Sequence, residues 1–501
     1  MIPRSSKAVP IVSFVAVVAV CLLLAAGLQI HAAPRAQQAA PDLDAELRAL
    51  IAQHELTGDP AASREIPLVT EPIVQLGKLL FFTKALGGDM DSACASCHLP
   101  TMGGGDDSPL PIGVGALDPD LIGPGRMHPS GNPTVPRNAP TTFNIALWDK
   151  VVFHDGRIES LDKIPGANGG GPSGMHTPDV PYGEADPWAG QNLAMAQSRF
   201  PTTSDAEMRG FDYEAGKTTR DLRERLAARL GGYGDAANEL TDNQWPALFE
   251  VVFGPAESLE ELVTEQRIAF AIGEYERSQL FINTPWFAYV NGDDGAISDA
   301  AKRGAQLFYT AYEDGGANCV KCHLGDFFTD EGFHVLAVPQ IGPGKGDGVT
   351  GTDDYGRFRV TRQLADLYAF RTPSLLNVTV TGPWGHDGAY TTLEGTVRHM
   401  LNPVDAATNF AWDELDPYIQ QEYGPANTAK AVRRLQYNRQ RGLDTIQDVD
   451  LTDAEVADLV AFLETLTDPC VTSAACLAPW MPSAFDVDPD GERLNAKTAT
   501  N

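Results

Sequence analysis

The pentapeptide Cys94-Ala95-Ser96-Cys97-His98 recurs as Cys319-Val320-Lys321-Cys322-His323. In the CxxCH pattern two thiols are spaced to form thioether bonds with the vinyl groups of a haem, and the adjacent histidine is held against the iron as proximal ligand. The chain has 7 Cys and 10 His among 501 residues, so two copies do not arise by coincidence. A lone CxxC would suit a zinc or dithiol site, and the trailing histidine at both copies argues against it. Two covalently bound haem c groups are therefore expected, one on Cys94, Cys97 and His98 and one on Cys319, Cys322 and His323.

Haem attachment of this kind requires an exported chain, and the N-terminus agrees. Arg4 and Lys7 precede an apolar run from Ile11 to Leu28, followed by His31-Ala32-Ala33-Pro34. This is a signal-peptide layout over residues 1–33, or an N-terminal anchor if uncut. The expected location is the periplasm, with membrane association only if the leader stays. Cys21 leaves with the leader and four cysteines hold haem. Cys470 and Cys476 remain in a compartment that permits disulfides, and a small clasp after the last helix is expected. The formal net charge of −30 excludes a nucleic-acid partner and is compatible with steering of a basic redox protein.

Helical signals dominate. Residues 42–54, 72–82, 218–230, 259–281 and 453–466 carry apolar residues at helical spacing, most with early acidic residues, and Pro72 marks a helix start. Ser298 caps a further helix, and another begins at Leu393. Gln75-Leu76-Gly77-Lys78-Leu79-Leu80-Phe81 before the first motif and Lys302-Arg303-Gly304-Ala305-Gln306-Leu307-Phe308 before the second point to an internal duplication of a cytochrome c unit. The expected fold is all-α: two cytochrome c-like haem domains in tandem with long irregular loops. Residues 103–136, 165–190 and 341–356 are too long for ordinary connections and read as functional loops or disordered segments. Residues 483–501 read as a disordered tail.

A methionine sixth ligand closes an iron and raises its potential, whereas an open position admits peroxide. Met400, on the helix from Leu393, follows His323 at ordinary cytochrome c spacing and is the expected ligand there; adjacent His399 would point elsewhere. The first haem has no comparable candidate.

With these residues in place the chain resembles the bacterial di-haem cytochrome c peroxidases, from about residue 70 to 480. The likeness rests on Leu76-Gly77-Lys78-Leu79-Leu80-Phe81-Phe82, Arg137-Asn138-Ala139-Pro140-Thr141, Phe153-His154-Asp155-Gly156-Arg157, Phe370-Arg371-Thr372-Pro373-Ser374-Leu375-Leu376-Asn377-Val378, His386-Asp387-Gly388 and Met400. The resemblance implies an N-terminal extension over 34–69, a peroxidatic haem domain over 70–283, an electron-transfer haem domain over 284–468 and a Cys-clasped segment with its tail over 469–501. It implies hydrogen peroxide as substrate, a small donor protein (a cytochrome c or a copper protein) as partner, and a calcium ion at Asn138, Thr381 and Pro383, whose oxygens suit a hard cation.

Three departures bear on the chemistry. A distal histidine of the family falls at Val114, so the first haem is open or His128 substitutes. The inter-haem tryptophan is here His154, with Trp148 and Trp384 as possible replacements. The catalytic glutamate is not evident: Gln197 aligns nearest, and Glu207 reads rather as part of a capping box begun by Ser204. Gln197, His128, Arg157 and His154 are the expected catalytic set. Two rival readings are a di-haem oxidase that modifies a protein, for which a Tyr at the Met400 position is expected, and a non-enzymatic electron carrier.

Overall fold

One glycine in each helix that leads to a CxxCH motif decides how the two halves are built. Gly77 sits in the Pro72–Phe82 helix, and a Cβ on it would lie 1.9 Å from the carbonyl oxygen of Ala271 in the Glu265–Arg277 helix. Gly304 sits in the Asp299–Tyr309 helix, and its Cβ would lie 1.9 Å from the carbonyl oxygen of Asp458 in the Asp453–Glu464 helix. Only glycine lets backbones cross this closely. The same crossing is made twice, once before each haem motif. The computed structural model describes residues 42–443 and 446–498, so the leader expected over 1–33 lies outside the described residues. No helix among those residues is long and apolar enough to cross a membrane.

The helix ends follow the sequence signals. Pro72 occupies the first turn of its helix, Ser298 accepts from the Ala301 amide, and Thr452 forms a capping box with Glu455. The expected 259–281 helix is two: Leu259–Leu262, then Glu265–Arg277. Thr264 interrupts it, because its side chain caps the second helix by accepting from the Arg267 amide. Each crossing carries its own core. Phe81, Phe82, Trp245, Phe249 and Tyr275 fill the first, and Trp286, Phe308, Tyr309, Phe328 and Phe462 the second. Each such ring contributes roughly 1.5–3 kcal/mol of burial.

The chain is helix-rich with few strands, which amends the all-α expectation. The strands are two or three residues long. Val151–Val152, Ile158–Ser160 and Met175–His176 form one antiparallel sheet, Phe333–His334 pairs with Phe370–Arg371, and Leu121–Ile122 runs parallel to Lys497–Thr498. The long Gly/Pro/Asp-rich stretches are pinned by buried arginines. The Arg126 guanidinium donates to the carbonyls of Ile112, Gly113, Pro119 and Leu121. Arg137 bonds Asp354 and pairs with Asp155 at 2.7 Å.

The expected disordered tail is a correction. Asp490 accepts from the Trp245 indole at 2.7 Å and the Thr83 hydroxyl at 2.8 Å, Leu494 is buried, and Lys497–Thr498 pairs with Leu121–Ile122. Chain ends are commonly loose, but buried donors on the first half receive this one. The Leu43–Gln53 helix does the converse. Asp44 meets Lys302 at 2.6 Å and the Tyr289 hydroxyl at 2.8 Å, and Leu47 and Ile51 join the second core. The expected clasp is present as the Cys470–Cys476 disulfide.

Candidate functional site

Each CxxCH motif forms a tight turn, Cys94–Ser96 and Cys319–Lys321, that places both thiols and the histidine on the wall of a cavity. The second cavity is the larger, about 300 Å³ against about 100 Å³ for the first. His98 donates through Nδ1 to the Gly104 carbonyl at 3.1 Å, and His323 donates through Nδ1 to the Phe328 carbonyl at 3.0 Å. A carbonyl can only accept, so in both rings Nε2 keeps its lone pair. This is the tautomer a proximal ligand needs, and burial lowers both pKa values in the same sense. Free thiols at all four positions complete a donor set that fits two covalently attached haems.

Around the first cavity stand Gln197, Arg157, His154, Glu207, Lys345, Trp148 and Arg371. Gln197 lies on the Leu193–Ser198 helix, capped by Asn192, and its buried Oε1 has no hydrogen-bond partner among the described residues. Arg157 stacks 3.5 Å over the Phe153 ring and reaches Asp155 at 3.4 Å. Phe153 itself has φ +67°, a strained value for an aromatic residue, and lines the cavity with His154 and Arg157. Met208 is a further lining residue, with its sulfur 4.0 Å from that of Cys94.

Glu207 departs from expectation. Ser204 makes no side-chain cap; instead its carbonyl accepts from both Met208 and Arg209, closing a wide turn that places Glu207 on the cavity wall. Neither His128 nor Val114 lines the cavity. Val114 is buried, and His128 hydrogen-bonds the Ser130 hydroxyl at 2.8 Å while packing against Gly115. His128 therefore stands apart from Gln197, Arg157 and His154. Lys345 was missed by sequence reasoning. Its signal was a lysine inside the run Gly342-Pro343-Gly344-Lys345-Gly346 of an over-long loop.

Asn138, Pro140, Thr141, Trp148, His154 and Arg371 line both cavities and form their shared wall. The Arg371 guanidinium lies 3.5 Å over the Trp148 ring and donates to the Phe153 carbonyl. Burial lowers Arg371 to about 10, which leaves it a cation at neutral pH. His154 donates from Nε2 to the Asn138 carbonyl at 3.0 Å. Burial and the charges of Arg137 and Arg371 lower it to about 3, so it is a neutral imidazole at pH 7. Trp384 lines only the second cavity and donates to the Val378 carbonyl.

Met400 lines the second cavity together with Cys319, Cys322 and His323. Its neighbour His399 is turned into the protein, where it bonds the Leu336 carbonyl at 2.9 Å and the Tyr390 hydroxyl at 2.7 Å. Asn138, Thr381 and Pro383 line the same cavity. Asn138 donates its amide hydrogens to the Ser108 and Pro109 carbonyls, which leaves Oδ1 to accept. No described residue donates a hydrogen bond to the Thr381 or Pro383 carbonyl. Uncommitted oxygens are the donor type that the expected calcium ion would take.

A family model for di-haem cytochrome c peroxidase matches residues 71–295. The chain is 26% identical over 441 residues to the methylamine utilization protein MauG of Methylorubrum extorquens, covering 87% of this chain and 88% of that one. It is 27% identical over 349 residues to the cytochrome c551 peroxidase of Pseudomonas aeruginosa, covering 70% and 75%. Among solved structures, the diheme peroxidase BthA of Burkholderia thailandensis matches with TM-score 0.51 and 22% identity, over 87% of this chain and 92% of that one. That likeness speaks to the fold.

Proposed function

We propose that this chain, an oxidoreductase of the di-haem cytochrome c peroxidase family holding two haem c groups, reduces hydrogen peroxide with electrons from a small donor protein. Its two halves act as tandem cytochrome c-like domains in the periplasm. Electrons arrive at the second site, where His323 and Met400 would hold the iron, and peroxide is reduced at the first, whose iron His98 would hold as proximal ligand. The contents of the cavities carry this reading. The second is lined by both His323 and Met400, while the first is lined by Gln197, Arg157, Glu207 and Lys345.

When bound, the haems supply electron storage and a Lewis-acidic seat for peroxide. The residues supply the rest. His98 and His323 are oriented by their carbonyl partners. Gln197 offers hydrogen bonds that position peroxide but cannot move its proton. Arg157 is a fixed cation near developing negative charge. His154 and Arg371 hold the wall between the sites, and neutral His154 serves as packing and hydrogen-bonding bridge. His128, away from the cavity, leaves the first position open. Asn138, Thr381 and Pro383 would hold calcium near that wall.

The test is stopped-flow mixing of the holoprotein with hydrogen peroxide and a reduced small cytochrome c or copper protein. Two donor molecules oxidised per peroxide support the reading. Peroxide consumption without donor oxidation points to oxidase chemistry, and no consumption points to an electron carrier.

A further inference from the structure

Phe308 lines the second cavity, with its ring 6.5 Å from that of His323. Three larger rings lead outward from it. Phe308 meets Tyr309 at 5.0 Å, Tyr309 stacks on Trp286 at 5.8 Å and Trp286 stacks on Tyr289 at 5.7 Å, the two stacks within 17° and 21° of parallel. All four rings are buried. Packing alone does not account for the choice of rings. The Trp286 indole N–H and the Tyr309 hydroxyl are buried with no hydrogen-bond partner among the described residues. A phenylalanine at either position would fill the core and strand no donor, so the polar atoms need another reason. Tyr289 differs: its hydroxyl donates at 2.8 Å to the carboxylate of Asp44, on the Leu43–Gln53 helix.

We propose that Tyr309, Trp286 and Tyr289 form an electron path out of the second haem site, along which Tyr289 gives up an electron, and its proton to Asp44, when peroxide arrives and no donor is bound. The inference rests on the peroxide-reducing reading above. Hydrogen peroxide takes up two electrons and two solvent protons and leaves as two waters. One electron comes from the haem centres and one from Tyr289. The Tyr289 O–H bond breaks, its proton passes to the Asp44 carboxylate, and a neutral phenoxyl radical remains. A later electron from the donor, with the proton returned by Asp44, restores the phenol. The column gives an oxidising equivalent a resting place away from the haem when no donor has come to quench it.

Only the outermost ring of the column has a base. Tyr309 and Trp286 have no acceptor for their protons, so each passes an electron without keeping the loss. The Arg48 guanidinium lies 4.3 Å and the Lys302 ammonium 5.5 Å over the Tyr289 ring. Both cations oppose a charged ring, so electron and proton must leave Tyr289 together. Lys302 also pairs with Asp44 at 2.6 Å, and the Asp44 side chain is 37% exposed, which lets water take the proton onward. Other aromatic side chains are less suited. Trp148 lies under the Arg371 cation, and Tyr368 donates to Asp353, a buried carboxylate already paired with Lys430. Tyr390 is the closest rival, because it donates to His399 at 2.7 Å. Its ring neighbours are His399 and Phe410, so no stacked column joins it to the second cavity.

The experiment rapidly freezes the ferric holoprotein after one equivalent of hydrogen peroxide, with no donor present, and reads EPR spectra of protein grown with ordinary and with ring-deuterated tyrosine. The expected result is a tyrosyl signal that narrows on ring deuteration, is lost in Y289F and in D44N, and survives in Y390F. D44N keeps the phenol and removes only the base, so loss of the signal there reads proton transfer. W286F keeps phenol and base but breaks the column, and its signal should fall. The ferric optical spectrum of each variant checks that both haems are held. A signal that persists in Y289F or D44N, that is undiminished in W286F, or that Y390F removes overturns the proposal. Peroxide loss, followed in the same samples, keeps the two readings apart. Loss of peroxide with no tyrosyl signal in wild type removes this inference alone. No loss of peroxide removes the peroxide reading and this inference with it.

Discussion

Gly77 and Gly304 permit the same helix crossing in both halves, and His98 and His323 each donate Nδ1–H to a backbone carbonyl. The walls facing those histidines differ. The second cavity offers Met400 beside broad apolar surface from Phe308, Leu376 and Leu459. The first gathers Gln197, Arg157, Glu207 and Lys345, from segments far apart in the chain. A repeated scaffold fixes where a haem is held. On the proposed function, the loops that reach over it decide whether the site stores an electron or handles peroxide. The ends cross over as well: the Leu43–Gln53 helix braces the second core, and residues 490–498 brace the first.

The largest effects should come from removing one haem at a time. Cys94→Ala with Cys97→Ala leaves one covalent haem and abolishes peroxide turnover. Cys319→Ala with Cys322→Ala also leaves one haem and abolishes donor-driven turnover, but azide binding at the first site survives. Mass spectrometry and an azide titration check both. If the second pair also removes azide binding, the assignment of roles to the two cavities is wrong.

Met400→Ala should lower the potential of the second haem by on the order of 100 mV. Spectroelectrochemistry reads this, and the first haem should be unaffected.

Gly77→Ala and Gly304→Ala each place a methyl on a backbone carbonyl, and each should cost about 3 kcal/mol or more in denaturant unfolding. Equal costs would support the repeated crossing. A cost at only one site would break the comparison.

The ion pairs of Arg137 set a smaller, pH-dependent contribution. Burial pushes the Asp354 carboxyl up, but the Arg137 charge and hydrogen bond outweigh it and bring it from 3.8 to about 2. A depressed carboxylate adds stability above its ordinary pKa and loses it on acidification. Melting curves should therefore fall between about pH 4 and pH 2, and Asp354→Asn should flatten that fall. The smallest effect is expected for Trp148→Phe. Weakening the stack with Arg371 should cost about 0.5–2 kcal/mol, read by thermal unfolding.

Local patterns made much of this legible in the sequence. CxxCH is a contiguous signal, Gly77 and Gly304 sit in matching helical runs, and Cys470 and Cys476 are near neighbours that form their disulfide. Met400, singled out by its spacing on a helix, lines the second cavity. What was missed depends on apposition between distant segments. Lys345 reaches the first cavity from beyond the second motif, Asp490 finds Trp245, and Arg371 stacks on Trp148. Glu207 looked like a helix cap because its neighbours are good capping residues. The wide turn at Ser204, which presents Glu207 to the cavity, has no comparable local signature. His128 was singled out by nearness in sequence to Val114, but its ring packs against Gly115 instead.

The most direct test of the division between the cavities is EPR and optical spectroscopy of the oxidised and half-reduced holoprotein, before and after one equivalent of hydrogen peroxide. The expected result is one haem with a stable His/Met low-spin signature and a second, distinct haem whose signal alone changes at once on adding peroxide. Two haems with the same ligation, or a peroxide response at the Met400 site, would contradict the account.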